Sequence, residues 1–305
     1  MTRRPWPVLL AALALAGCGL GPGSPERGAA QLRVTRDFGQ RALGPPARKS
    51  EIRSSDTVMR FLKSERRVTT RFGGGFVQSI DGLAGNKQAE HDWFFYVNGR
   101  ESPVGAADVK LRPSDVVQWD YHRWTATMHV PAIVGAFPEP FVHGIDGRRL
   151  PTRVECADPS SKGCSDTLAA LDRRHIVATS ATLGQSTGEK SIRVLVAPWS
   201  ELRGTVTARV LQEGPSASGV FARFAANGRL TYLDGAGRAA RPAPLGTGLL
   251  AATQPEGEGF VWLVTGDGEA AVERAARALD PARLRAAFAV AATPSRLVRL
   301  PSGGL

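Results

Sequence analysis

The chain has no apolar run long enough to cross a bilayer. Its longest, residues 8–16, falls far short of the about 20 residues that a spanning helix needs. Cysteine is scarce too, with three in 305 residues. Cys156 and Cys164 lie near one another, but zinc would need two further ligands at useful spacing. His91, His122, His129, His143 and His175 are scattered, with no HxH or HExxH pattern, so no metal is expected. Lysine accounts for only 6 of the 39 basic residues, and the arginines are spread along the whole chain. A nucleic-acid binder would cluster them on one element, so no nucleic-acid partner is expected. The formal charge of +11 reads mainly as the coding bias of a GC-rich bacterium, with weak attraction to anionic lipid or wall polymer as the other reading.

What is present begins at the N-terminus. Arg3 and Arg4 precede the apolar stretch, and Leu15-Ala16-Gly17-Cys18 places small residues just before a lone cysteine. This resembles a bacterial lipoprotein signal peptide with its lipobox. The resemblance implies export, cleavage before Cys18, diacylglycerol on the Cys18 sulfur, and a chain held by lipid on the extracytoplasmic face of the cell membrane. An ordinary signal peptide cut nearby, or a short buried helix, is the other reading. Removing residues 1–17 leaves 288 residues, a length that suits two domains, and a charge of +9.

Residues 18–30 are mostly Gly, Pro, Ser and Ala, a composition that reads as a tether. Residues 31–36 alternate as a strand, and residues 43–48 read as a Gly/Pro-rich loop. Ser54-Ser55-Asp56 offers N-caps for a helix with Val58, Phe61 and Leu62 on one face. Residues 76–80 alternate as a strand turned by Asp81-Gly82. Trp93-Phe94-Phe95-Tyr96-Val97 is an aromatic strand, and Asn98-Gly99 is the dipeptide of a type I′ hairpin turn. After the turn at Arg112-Pro113-Ser114-Asp115, residues 116–121 form a last strand. The fold class expected is α+β, with a β-grasp-like domain over 31–124, a linker over 125–151 and a second α+β domain over 152–305.

The blocks Asp56-Thr57-Val58-Met59, Ser79-Ile80-Asp81-Gly82, Trp93 to Gly99, Gly105-Ala106-Ala107-Asp108 and Pro113 to Tyr121 occur in that order. Together they resemble a bacterial domain of unknown function related to the C-terminal β-domain of transcobalamin and intrinsic factor. Ser114 stands where that family usually has glycine, which is expected to alter the turn more than the fold. The resemblance implies a small-ligand or protein-contact module on a surface protein. In the animal carriers this domain closes over one side of cobalamin while a helical barrel holds the other. No helical barrel is recognisable here, so a corrinoid is only one candidate ligand and no cofactor is assigned.

Rings with polar tips are favoured where one side is wet, which makes Tyr96, Asn98, Trp119 and Tyr121 a candidate ligand edge. Alternation puts Trp93, Phe95 and Val97 on one sheet face, and Phe94 and Tyr96 on the other. Since one face must meet the helix, about half of these rings read as plain core.

The second half matches no family by its residues. Cys156 and Cys164 flank a loop-like stretch, and in an oxidising compartment they read as a disulfide. Helices are expected over 165–174, 269–279 and 281–291, and over 199–211, where Gly204 and the β-branched Thr205-Val206-Thr207 leave a strand as the other reading. Gly235-Ala236-Gly237-Arg238-Ala239-Ala240 and Gly246-Thr247-Gly248-Leu249-Leu250-Ala251 mimic G-x-G-x-x-A, but neither runs from a strand into a helix, so both read as turns. Gly184-Gln185-Ser186-Thr187-Gly188 fits G-x-S-x-G yet leads into a strand, unlike a hydrolase elbow. No S-x-x-K occurs, and no cysteine is free if the pair is oxidised. The expectation is a non-catalytic, lipid-anchored protein that binds a small ligand at the cell envelope. Its alternative is a structural or protein-contact module with no small ligand.

Overall fold

The computed structural model describes residues 25–184 and 190–303. Cys18 and the expected signal peptide lie outside the described residues, as does most of the G-x-S-x-G string. The fold is α+β, in two parts.

The first part is built from β1 (Pro25–Arg36), β2 (Ala47–Arg53), α1 (Val58–Glu65), β3 (Val68–Arg71), β4 (Phe76–Ile80), β5 (His91–Val97), β6 (Arg100–Glu101) and β7 (Val116–Arg123). β1 runs parallel to β7, from Gln31 opposite Val116 to Arg36 opposite Tyr121. β5 pairs antiparallel to the other side of β7, and β2 antiparallel to β1. β3 and β4 form a separate hairpin extended by Leu83–Ala84. α1 buries Val58, Met59, Phe61 and Leu62 against Leu32, Val34 and Val117, the face its periodicity predicts. Its N-cap is Thr57, whose hydroxyl accepts from Arg60 N, and not the three residues before it. Asp56 instead accepts from Arg53 N at 2.9 Å and Lys49 Nζ at 3.1 Å.

Two expectations change here. Residues 25–30, expected as tether, form the first half of β1, because β2 supplies an antiparallel partner that the polar sequence of 47–53 conceals. Ser114 keeps the turn that glycine would make, with φ 70° after Pro113.

The second part contains β8 (Thr152–Cys156), α2 (Lys162–Asp172), β9 (Ala178–Thr182), β10 (Ile192–Pro198), α3 (Val206–Glu213), β11 (Gly248–Thr253), β12 (Phe260–Gly266), α4 (Glu269–Arg277), β13 (Ala289–Ala292) and β14 (Leu297–Leu300). They make a seven-stranded mixed sheet in the order β9-β8-β10-β12-β11-β13-β14. β10 and β12 are buried throughout, which explains their continuous apolar sequences. α2 and α4 cover one face around Trp262. α3 and a small sheet of Ala222–Phe224, Leu230–Leu233 and Ala239–Pro242 cover the other around Trp199.

Cys156, ending β8, is bonded to Cys164 in the first turn of α2, a helix that starts at Lys162 behind the Ser161 cap. A loop this short closed by a disulfide contributes on the order of 2–3 kcal/mol. The helix expected over 199–211 is broken into Trp199–Leu202 and α3, with Thr205 capping the second piece. The helix expected over 281–291 stops at Leu284. Ala286 turns to φ 62° and the alanines beyond it pair with β11 and β14, so sheet pairing overrides alanine's helix propensity.

The segment expected as a linker is packed between the two parts. Phe137 and Phe141 lie 5.9 and 5.0 Å from Trp262 in the second core. Ile133 and Val130 join Tyr96, Phe38, Phe221, Leu233 and Phe288 in a buried cluster that spans both parts.

Candidate functional site

The sheet face beneath β5 and β7 is richer in rings than α1 can cover. Phe95 and Trp119 are cross-strand partners and stack at 4.8 Å, while Trp93 meets Tyr121 at 5.2 Å. The β3–β4 hairpin closes over part of this face through Val77 but leaves a cleft of about 940 Å³ beside it. Trp93, Phe95 and Trp119 line the cleft from the sheet, and Phe76 and Val77 from the hairpin. Trp124, Met128 and His129 reach it from beyond β7. Apolar side chains are left in solvent here, with Phe76 41% and Met128 55% exposed. Phe72, 86% exposed, has its ring 6.3 Å from that of Phe76. Large apolar side chains cost free energy in water, so this grouping is a candidate contact surface.

Two carboxyls line the cleft, with the cations Arg71 and Lys87 also on its wall. Glu101 lines it, and burial raises its carboxyl above the usual range, although His129 Nδ1 lies 2.9 Å from Oε1. Its other oxygen, Oε2, is buried without a well-aligned partner among the described residues, although the Val130 backbone N–H also draws the carboxyl down. Asp92 also lines the cleft and is raised by burial, against the donation from Trp93 N to its Oδ1 at 2.8 Å. Trp119 Nε1 is likewise buried without a partner. A ligand with a flat conjugated face, carrying at its edge a donor for Glu101 Oε2 and an acceptor for the Trp119 indole N–H, would meet both needs. Among the described residues, no group of three or more His, Cys, Asp or Glu side chains could hold a metal ion.

The four residues expected to form a ligand edge do not share a surface. Trp119 lines the cleft. Tyr121 is on the same sheet face but in the core, its hydroxyl donating to Ala84 O at 3.0 Å. Tyr96 is on the opposite face, fully buried in the cluster between the two parts. Strand alternation dictates that separation, because Tyr96 is one residue from Phe95. Asn98 is a turn residue, φ 53°, with Gly99 at φ 82°. Its Oδ1 accepts from Val116 N at 2.9 Å, and its Nδ2 donates to Asp115 Oδ1 at 2.9 Å and Gly144 O at 3.0 Å. The hairpin turn is as expected, and its side chain is spent on holding it. The contributions of Phe76, Glu101, Trp124 and Met128 escape sequence reasoning because they depend on where the hairpin and the segment after β7 dock.

Elsewhere the glycine strings serve packing. Gly235 lies against the Phe38 ring, and a side chain on Gly248 would strike Ala271 O. Asp267 Oδ2, before α4, accepts from Gly246 N at 2.7 Å, so that helix start is tied to the loop that precedes β11.

Residues 55–123 match the family described as Domain of unknown function (DUF4430). Among solved structures, the chain is similar to a Ruminococcus gnavus protein described as a candidate metal-binding protein, at 13% identity over 31% of this chain and 96% of that one, with a TM-score of 0.25. It is also similar to haptocorrin in its complex with Cbi, at 11% identity over 32% of this chain and 25% of haptocorrin, with a TM-score of 0.26. No curated protein matches.

Proposed function

We propose that this is a lipid-anchored, extracytoplasmic protein without catalytic activity that holds a small ligand in the aromatic cleft of its first domain. One observation carries the reading: an open cleft of about 940 Å³ lined by Trp93, Phe95 and Trp119 and bordered by the largely buried carboxyl of Glu101. The anchoring part rests on Leu15-Ala16-Gly17-Cys18, and the Cys156–Cys164 bond is in keeping with an oxidising compartment. Among the described residues no helix is long and apolar enough to cross a membrane. The parallel β1–β7 pair with α1 packed across one face supports the β-grasp reading of the domain.

The test is a titration of the chain carrying Cys18→Ser with cobalamin, other corrinoids and flat conjugated cofactors, read by calorimetry and tryptophan quenching. Saturable binding is expected. Phe76→Ala and Trp124→Ala, both at the cleft and only partly buried, are expected to weaken it about tenfold, or about 1.4 kcal/mol, with the melting temperature held. Tyr96→Phe, on the other face, should leave the affinity unchanged. No saturable binding, together with an envelope protein that co-purifies and is lost in Phe76→Ala, overturns the small-ligand reading in favour of a protein-contact module.

A further inference from the structure

We infer that a basic basin beside the start of β1 rests on anionic phospholipid headgroups and orients the protein on its membrane. Arg53, Lys110 and Arg112 line one basin of about 340 Å³, together with Pro113 and His143. Neither Lys110 nor Arg112 makes an ion pair with a described residue, and Arg53 meets only the exposed Glu51, at 3.9 Å. The acid in the basin, Asp115, is buried and already engaged, receiving Arg112 N at 2.8 Å and Asn98 Nδ2 at 2.9 Å. His143 is held by Glu139 through both its backbone N–H and its ring. Asp115 attracts Arg112 and Asp56 attracts Arg53 through space, but neither acid forms an ion pair with them, so three cations on one depression present a surface complementary to clustered phosphate.

The chain itself says what lies opposite. Pro25 is the register partner of Arg53, and Gly28 packs against Pro113, so the polypeptide enters the fold at the basin's edge. Residue numbers place Cys18 seven positions before Pro25, a reach of at most about 25 Å when fully extended. Acylation at Cys18 would therefore hold the basin close to the bilayer, where screening over about 8–10 Å still permits attraction. The register also fixes what faces away. The basin sits at the Val116 end of β7, whereas Trp124, which lines the cleft, follows its other end about 25 Å along the strand. Resting the basin on lipid turns that end of the cleft outward.

This inference shares the anchoring reading at Cys18 but is independent of the cleft. Its test uses the chain carrying Cys18→Ser, so that no acyl group contributes, with vesicles of phosphatidylcholine alone or mixed with phosphatidylglycerol. Binding is expected only to the phosphatidylglycerol vesicles. It should fall about tenfold in the triple variant Arg53→Gln, Lys110→Gln, Arg112→Gln. It should stay within about twofold in the triple variant Arg173→Gln, Arg203→Gln, Arg209→Gln, which removes equal charge from exposed positions of the second part. If the first triple folds poorly, the single exposed change Lys110→Glu reads the same effect. Equal losses in both triples, equal binding to neutral vesicles, or displacement by millimolar inorganic phosphate would each overturn the proposal. Radiolabelled palmitate incorporation into the native chain tests the anchor separately.

Discussion

Asp115 shows how a residue can be chosen for geometry at a cost in charge. It terminates the turn before β7, accepts from Arg112 N and ties down Asn98, which in turn caps Val116. Burial pushes its carboxyl up to about 6, against an unfolded value near 3.9. The folded chain therefore holds a proton that the unfolded chain has released, and stability falls as pH rises from about 4 to about 6. The expected loss is on the order of 2–3 kcal/mol. Asp115→Asn should flatten that part of the profile, and urea midpoints of both proteins from pH 4 to 7, compared as a difference, check it. At this scale Asn98-Gly99 was plain in the sequence because a type I′ turn demands that dipeptide. The partner Asp115 was not, since it lies seventeen residues on and meets Asn98 only through the fold.

At the scale of elements, the hairpin β5–β6 joins a turn that the sequence spells out to a docking that it hides. Gly99 at φ 82° has Ile133 O only 2.7 Å from where a Cβ would stand, and its own carbonyl accepts from Ile133 N at 2.8 Å. Gly99→Val should thus cost more than the about 1–2 kcal/mol of left-handed strain alone, because the segment around Ile133 must also retreat. A denaturant midpoint shifted by less than that amount would show the turn to be free of the segment. The strands over 31–36, 76–80, 93–97 and 116–121 were legible, as was α1 from its three-residue stripe. β2 was not, since Ala-Arg-Lys-Ser-Glu-Ile-Arg carries only one fully buried residue. The stretch after Leu284 misled for the opposite reason: alanine favours a helix wherever no sheet edge competes, and β11 and β14 compete. The cleft was half legible, since the alternation set Trp93 and Phe95 on one face, while the hairpin that walls it left no mark in the sequence.

At the scale of the molecule, the two parts meet backbone to backbone. A Cβ on Gly135 would lie 2.6–2.7 Å from the main chain of Ala286 and Ala287, and one on Gly39 would lie 1.8 Å from Ala286 O. Arg33 Nη1 donates to Gly135 O at 2.7 Å, Gln118 Nε2 to Ala286 O at 3.1 Å, and Arg299 Nη1 to Gly39 O at 2.9 Å. Gly135→Ala leaves no atom at that seam that can yield cheaply, so calorimetry should show a melting temperature lowered by several degrees and one cooperative transition split in two. A single unshifted transition would mean that the parts do not depend on this contact. Proline-rich residues 126–151 look like a spacer because no periodicity marks them, yet they are the filling of this seam.

The same seam begins where β1 ends. Asp120 accepts from Thr35 Oγ1, Phe38 N, Gly39 N and His122 Nδ1, and so pins the loop that carries Phe38 between His122, Phe221 and Phe288. A pull on the N-terminal end of β1 therefore travels along the strand and loads its parallel ladder with β7 in shear, across all six register positions from Gln31 to Arg36. Bonds loaded in shear yield together, where bonds peeled from an edge yield one by one. A molecule pulled from the start of β1 would resist with its central ladder and, behind it, with the aromatic seam that joins its two halves.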